Sequence, residues 1–259
     1  MSSIKRLTAF LICIILICGC LASCVNPNTG NTEPPQSDEY VATIRIKYAT
    51  NDNKMKAAID ALGTPTTTLT VNGDNMKLES SAVIDDVSVC NDYTYLDGVL
   101  YQAKTVTVGD KSISSYERAQ MSADQTEQLV SKAGPGASIG MGDFLVHDKL
   151  TSTSGDTVTY ECSDMIDESR DSLCDIISQS FAAMGATVRI NSASYQLETR
   201  NGRNHSSVLS CDFVITVDGV NYELTLHLYY DYNYDAEVNI SVPENADTYK
   251  EVSFEEIVG

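Results

Sequence analysis

From Tyr40 onward the apolar residues of this chain recur with a period of two, and turn dipeptides interrupt the pattern at short intervals. Ala42, Ile44, Ile46 and Tyr48 alternate with Thr43, Arg45 and Lys47, as in a strand with one face buried. Strand-like segments follow at 66–71, 76–89, 93–96, 99–108 and 112–118. Three more are expected at 187–198, 206–217 and 220–242, the last with a bend near 231–235. Asn72-Gly73, Asp97-Gly98, Gly109-Asp110 and Asp218-Gly219 punctuate them, and such dipeptides favour tight hairpins. A chain of this kind folds as an antiparallel meander.

The turn at Asp218-Gly219 makes a checkable register. A two-residue hairpin sets Val217 opposite Val220, so Ile215 faces Tyr222, Phe213 faces Leu224 and Cys211 faces Leu226. All these pairs are apolar, while the intervening Asp212, Thr216, Asn221, Glu223, Thr225 and His227 are polar. Two independent alternations therefore agree, and a slip of one residue would expose the whole apolar set.

Helical spacing occurs in three places. Met55, Ala58, Ile59 and Leu62 form a short stripe that stops at Gly63. Ser122 with Gln125 reads as a capping box opening a helix that Gly134-Pro135 closes. Across 163–184, Ile166, Leu173, Ile177, Phe181 and Met184 make one apolar stripe, with Gly185 at its end. The expected fold is α+β: a long curved antiparallel sheet (a half-barrel meander) covered on one face by two or three helices, in a single domain over 40–259.

The first residues constrain location. Lys5 and Arg6 precede an apolar run of roughly 15 residues, short of the ~20 a spanning helix needs, and the sequence then reads Leu21-Ala22-Ser23-Cys24. A basic head, a short apolar middle and small residues before a cut describe a secretion signal. The last four residues resemble the bacterial lipobox, which makes 1–23 a lipoprotein signal peptide and Cys24 the lipid-attachment residue. Residues 24–39, rich in Pro, Asn and Thr, read as a disordered tether. The expected location is the cell envelope, on the extracytoplasmic face of a bacterial membrane.

A formal net charge of −19 repels phosphate backbones, which argues against a nucleic-acid partner. Of eight cysteines, four remain beyond the signal and anchor: Cys90, Cys162, Cys174 and Cys211. None has CxxC spacing. Cys162 and Cys174 bracket the expected long helix about 18 Å apart, too far to bridge. His147, His205 and His227 have no ligand-spaced companions, no Ser sits in a nucleophile elbow, and the glycine-rich stretch 134–142 lacks a Walker ending. Asp231, Asn233, Asp235 and Glu237 share parity, yet Ala236 and Val242 stand where an EF-hand requires Gly and Glu. The expectation is a protein that is not an enzyme, with no cofactor and no metal.

Tyr95-Leu96-Asp97-Gly98-Val99-Leu100-Tyr101 and the closing Val238-Asn239-Ile240-Ser241-Val242-Pro243-Glu244 resemble the hairpin and the final strand of the lipoprotein-carrier superfamily. That group includes the periplasmic lipoprotein chaperone and the mycobacterial lipid-carrying lipoproteins. The resemblance implies a cavity between sheet and helices for a lipid or other apolar ligand. Met165, Ile166, Leu173, Ile177 and Phe181 would line it from the helix, and Phe213, Ile215, Leu224, Leu226 and Leu228 from the sheet. The candidate partners are thus the membrane, through lipidated Cys24, and a lipid or apolar ligand. The alternative is a non-enzymatic envelope protein that binds another protein or a glycan through an acidic, Tyr-bearing face near Tyr229, Tyr230, Tyr232 and Tyr234. Tyr230, Tyr232 and Tyr234 continue the parity of Leu224, Leu226 and Leu228, however, and so read as an extension of the inner face.

Overall fold

A computed structural model describes residues 39–258 except 63–64, 85, 127–148, 163–173, 175–176 and 179–184. In chain order the elements are β1 (Glu39–Thr50), α1 (Asn53–Leu62), β2 (Thr66–Asn72), β3 (Asn75–Ile84), β4 (Val87–Leu96), β5 (Val99–Val108) and β6 (Lys111–Gln120). Then come β7 (Lys149–Ser154), β8 (Thr157–Cys162), β9 (Thr187–Arg200), β10 (Arg203–Val217), β11 (Val220–Asn233), β12 (Lys250–Glu251) and α2 (Phe254–Val258).

The strands form one twelve-stranded sheet in the order β12-β6-β5-β4-β3-β2-β1-β11-β10-β9-β8-β7. Two meanders, β1 to β6 and β7 to β11, are stitched together where β1 pairs with β11, as in Ile44 with Tyr230 and Tyr48 with Leu226. The pairings are antiparallel except that of β12 with β6. The Asp218-Gly219 hairpin has the anticipated register, Val217 opposite Val220 and Phe213 opposite Leu224. Its two turn residues have φ of 51° and 77°, the left-handed values a type I′ turn demands.

The expected α+β architecture is corrected. The described residues make a sheet protein with two short helices, α1 and α2, and not a sheet roofed by two or three helices. Three causes are visible. The segment 76–89 is two strands, β3 and β4, because the chain turns after Ile84 without a glycine. The β7–β8 hairpin, turning at Gly155-Asp156, adds strands where none were expected. The closing segment 238–242 is not a strand, since β11 ends at Asn233. Most of the anticipated helix at 163–184 lies outside the described residues; Cys174, Ile177 and Ser178 within it are helical. Residues 123–126 are helical too, and the Ser122–Gln125 capping box forms in both directions, at 2.9 and 3.2 Å.

One sheet face is the interior. Alternate residues of β1 (Tyr40, Ala42, Ile44, Ile46, Tyr48) share a single buried cluster with Leu209, Phe213 and Leu226 on one side and Val71, Tyr95 and Leu100 on the other. Open sheets of this width curl. The opposite face is mostly more exposed, with buried exceptions such as Val214, Thr70 and Thr94, and the C-terminal segment covers part of it. There Tyr249 packs its ring edge-on to Tyr101 at 5.8 Å and lies 5.3 Å from Tyr116. Asp52 caps α1 by accepting a hydrogen bond from the Met55 N–H at 2.9 Å, and Ile59 of that helix reaches the core.

Candidate functional site

The interior is not uniformly apolar. Through Phe213, Ile215, Leu224, Leu226 and Leu228 it is filled hydrocarbon, each residue at most 3% exposed. Ile177 joins them, fully buried. These are the sheet positions and the one described helix position named as candidate ligand-lining residues. The other four, Met165, Ile166, Leu173 and Phe181, lie outside the described residues, as do Cys24, His147 and the glycine-rich stretch 134–142.

Toward the β9–β10 and β2–β3 turns the inner face changes character. One line of directly paired inward positions runs Ser207, Tyr230, Ile44, Thr67, Ser80, Asn91 and Lys104. The next line holds Thr199 opposite Asn204 on β9 and β10. On β11 to β6 it continues as Tyr232, Ala42, Leu69, Leu78, Tyr93, Gln102 and Glu117. Together they form a belt of hydroxyls and amides across a face that is otherwise hydrophobic.

Part of this belt is satisfied internally. Gln102 Nε2 donates to the Tyr93 hydroxyl at 2.8 Å and to Asn91 Oδ1 at 3.3 Å. Ser80 Oγ donates to the Asn91 carbonyl at 3.0 Å. Asn204 and Thr67 are not. Asn204 is 1% exposed, yet neither its Oδ1 nor its Nδ2 has a hydrogen-bond partner in the protein. Thr67 Oγ1 and the Tyr234 hydroxyl are likewise buried without one. Folded proteins rarely leave such groups orphaned, because each costs about 1–3 kcal/mol in lost hydration.

Aromatic rings flank the orphans. Tyr40 sits 5.7 Å from both Tyr232 and Tyr234, and Tyr230, Tyr232 and Tyr234 stack in succession at 6.5 Å. The Arg203 guanidinium lies over the Tyr234 ring at 5.3 Å. Burial, reinforced by the neighbouring phenols of Tyr195, Tyr40, Tyr230 and Tyr234, holds the Tyr232 phenol well above its ordinary pKa. Tyr234 is pushed up to about 12 by burial, against the opposing pull of Arg203. Both are neutral donors and acceptors at any physiological pH. Over β5 and β6 the inner face meets solvent: Gln102, Lys104, Val106 and Glu117 are half-buried.

Sequence reasoning missed Asn204 for a definite reason. Downstream on β10 the odd positions Ser207, Leu209, Cys211 and Phe213 point inward, so an even residue reads as outward. A register shift between Asn204 and Ser206 inserts His205 as an extra residue, and such a bulge turns the preceding side chain to the other face. Thr67 was legible, since it shares parity with Leu69 and Val71.

Among the described residues no chemical constellation accompanies the belt. The Cys90, Cys174 and Cys211 thiols are free, and burial, with smaller contributions from Asp212 and Cys174, pushes Cys211 up to about 12. His227 Nδ1 is 2.9 Å from Ser210 Oγ on the outer face, and Asp231 pairs with Arg45 at 2.5 Å. Among the described residues no helix is long and apolar enough to cross a membrane.

No family model and no curated protein matches the chain. Among solved structures it is similar to the ywiB protein of Bacillus subtilis, at 8% identity over 76% of this chain and 95% of that one, with a TM-score of 0.22. A second is an inactive H978F mutant of the CurJ dehydratase in complex with compound 21, at 9% identity over 88% of this chain and 82% of that one, with a TM-score of 0.13. Neither score is high enough to carry a conclusion about this chain.

Proposed function

We propose that the protein is a membrane-tethered extracytoplasmic lipoprotein, anchored through Cys24, that binds or carries a lipid or similar largely apolar molecule against the inner face of its sheet. The observation that carries this reading is the pair of orphaned polar atoms on Asn204 within a buried, aromatic-lined interior. A bound molecule with a polar end would supply the missing hydrogen bonds, and its apolar remainder would lie along tyrosine and aliphatic side chains. Ligand sites are typically apolar with a few convergent polar groups, which is the composition of the belt. The reading includes no enzymatic role.

The rival reading, recognition of a protein or glycan by an exposed tyrosine strip, has no observation in its favour: Tyr230 and Tyr232 are buried and face inward.

The test is purification of the full chain from a bacterial host, organic extraction, and titration of the stripped protein with single-chain amphiphiles. Stoichiometric binding at micromolar concentration is the expected result. Absence of both a co-purifying molecule and any saturable binding would contradict the reading. Metabolic labelling with a radioactive fatty acid, lost in Cys24→Ala, tests the anchor separately.

A further inference from the structure

The belt also specifies what kind of polar end its ligand has, an inference that rests on the binding role proposed above. Asn204 offers one acceptor, Oδ1, and a two-proton donor, Nδ2, and both are unpartnered. A carboxylate or phosphate only accepts hydrogen bonds, so it could answer Nδ2 but would set negative charge against Oδ1. An ammonium group only donates and fails in the opposite sense. A hydroxyl or an amide does both. Thr67 Oγ1, the other buried orphan of the belt, and the Tyr234 hydroxyl just beyond β11 are themselves groups that donate and accept.

Charge agrees. On the inner face Lys104 and Glu117 contribute one charge of each sign and stand on β5 and β6, six and seven strands along the sheet from Asn204. Among the described residues, Arg203 adjoins Asn204 but is exposed and stacked on Tyr234, so an anion buried at Asn204 would be poorly compensated, which is costly. The formal net charge of −19 also opposes its approach through space.

We infer that the ligand is a neutral amphiphile whose head bears hydroxyl or amide groups, as a monoacylglycerol does, and is not a fatty acid or a lysophospholipid.

The experiment uses the stripped full-length protein and three probes of one acyl-chain length: a monoacylglycerol, the free fatty acid, and the lysophosphatidic acid. Affinities are measured at low salt and at a pH where the acids are ionised. The monoacylglycerol should bind at least about tenfold more tightly than either anion, the worth of one or two unmatched hydrogen bonds. Asn204→Leu should lower monoacylglycerol affinity about tenfold and leave fatty-acid affinity unchanged, so that the preference collapses. Tyr234→Phe, which removes the orphaned hydroxyl beneath Arg203, the residue before Asn204, provides an independent second variant should Asn204→Leu fold poorly, with the same direction of effect. If none of the probes binds, the binding role itself fails. If they bind but the anions equal or exceed the monoacylglycerol, or if both variants preserve the preference, the binding role stands and the neutral-head inference is overturned. In the last case the orphaned amide is filled by water alone.

Discussion

At the scale of single residues, the belt exchanges stability for binding capacity. An interior position normally holds either an apolar side chain or a polar one with its partners in place. Asn204 is neither, although its immediate neighbour Thr199 does find a partner, its hydroxyl donating to the Val158 carbonyl at 3.4 Å. Asn204→Leu keeps a similar volume and removes two unsatisfied atoms, so the ligand-free protein should gain about 1 kcal/mol or more in stability. Urea denaturation of the stripped wild type and variant checks this. A loss of stability would mean that the amide is satisfied in the folded protein and that the belt carries no cost. Phe213, by contrast, is fully buried among Leu224, Ile190 and their neighbours, and belongs to the packing that holds the sheet faces together.

At the scale of elements, hairpins rather than helices write this fold. The Asp218-Gly219 turn sets the β10–β11 register, and Gly219 at φ 77° has space around the position of a Cβ. The cost of Gly219→Ala is thus backbone strain alone, about 1–2 kcal/mol, with the Phe213–Leu224 pairing intact. A larger loss, or a changed cross-strand pairing seen by nuclear Overhauser contacts, would show that the turn does more than close the ribbon. The same chemistry explains what the sequence made legible. The Asp218-Gly219 turn has the anticipated register, and Asp97-Gly98 and Gly109-Asp110 stand at turns as expected. The β2–β3 turn instead falls on Gly73-Asp74, one residue beyond the anticipated Asn72-Gly73. The β3–β4 turn carries no glycine and was read through as one strand. The β7–β8 ribbon is a weak signal: β8 alternates Val158, Tyr160 and Cys162 with Thr157, Thr159 and Glu161, but β7 holds one apolar residue, Leu150, and offers no matching partner. Most telling is the belt itself: Asn204 enters the interior because of a bulge at His205, and a bulge leaves no period in the sequence. Thr67, Asn91 and Gln102 did lie on inward parity, but one polar residue per strand looks like noise until the sheet lines them up.

At the scale of the whole molecule, an acidic exterior surrounds an interior rich in phenols that stay protonated. An unfolded tyrosine ionises near pH 10, whereas burial holds Tyr40 and Tyr232 above that value and Tyr234 at about 12. The folded state therefore binds more protons than the unfolded state in this window. Stability is fully present below about pH 10 and falls as pH rises from there through 12. Tyrosinate absorbance should lag in the native protein and jump on unfolding. Phenols titrating near 10 without loss of structure would place them in water. The central claim is that a buried amide on the inner face of the sheet receives the polar end of a bound molecule, and the side-chain amide resonance of Asn204 reports on it directly. In a proton–nitrogen correlation spectrum of labelled protein, adding a neutral single-chain amphiphile should shift that resonance and those of the surrounding interior, saturating at one equivalent. Shifts confined to exposed residues, with the Asn204 signal unmoved at saturation, would contradict the account.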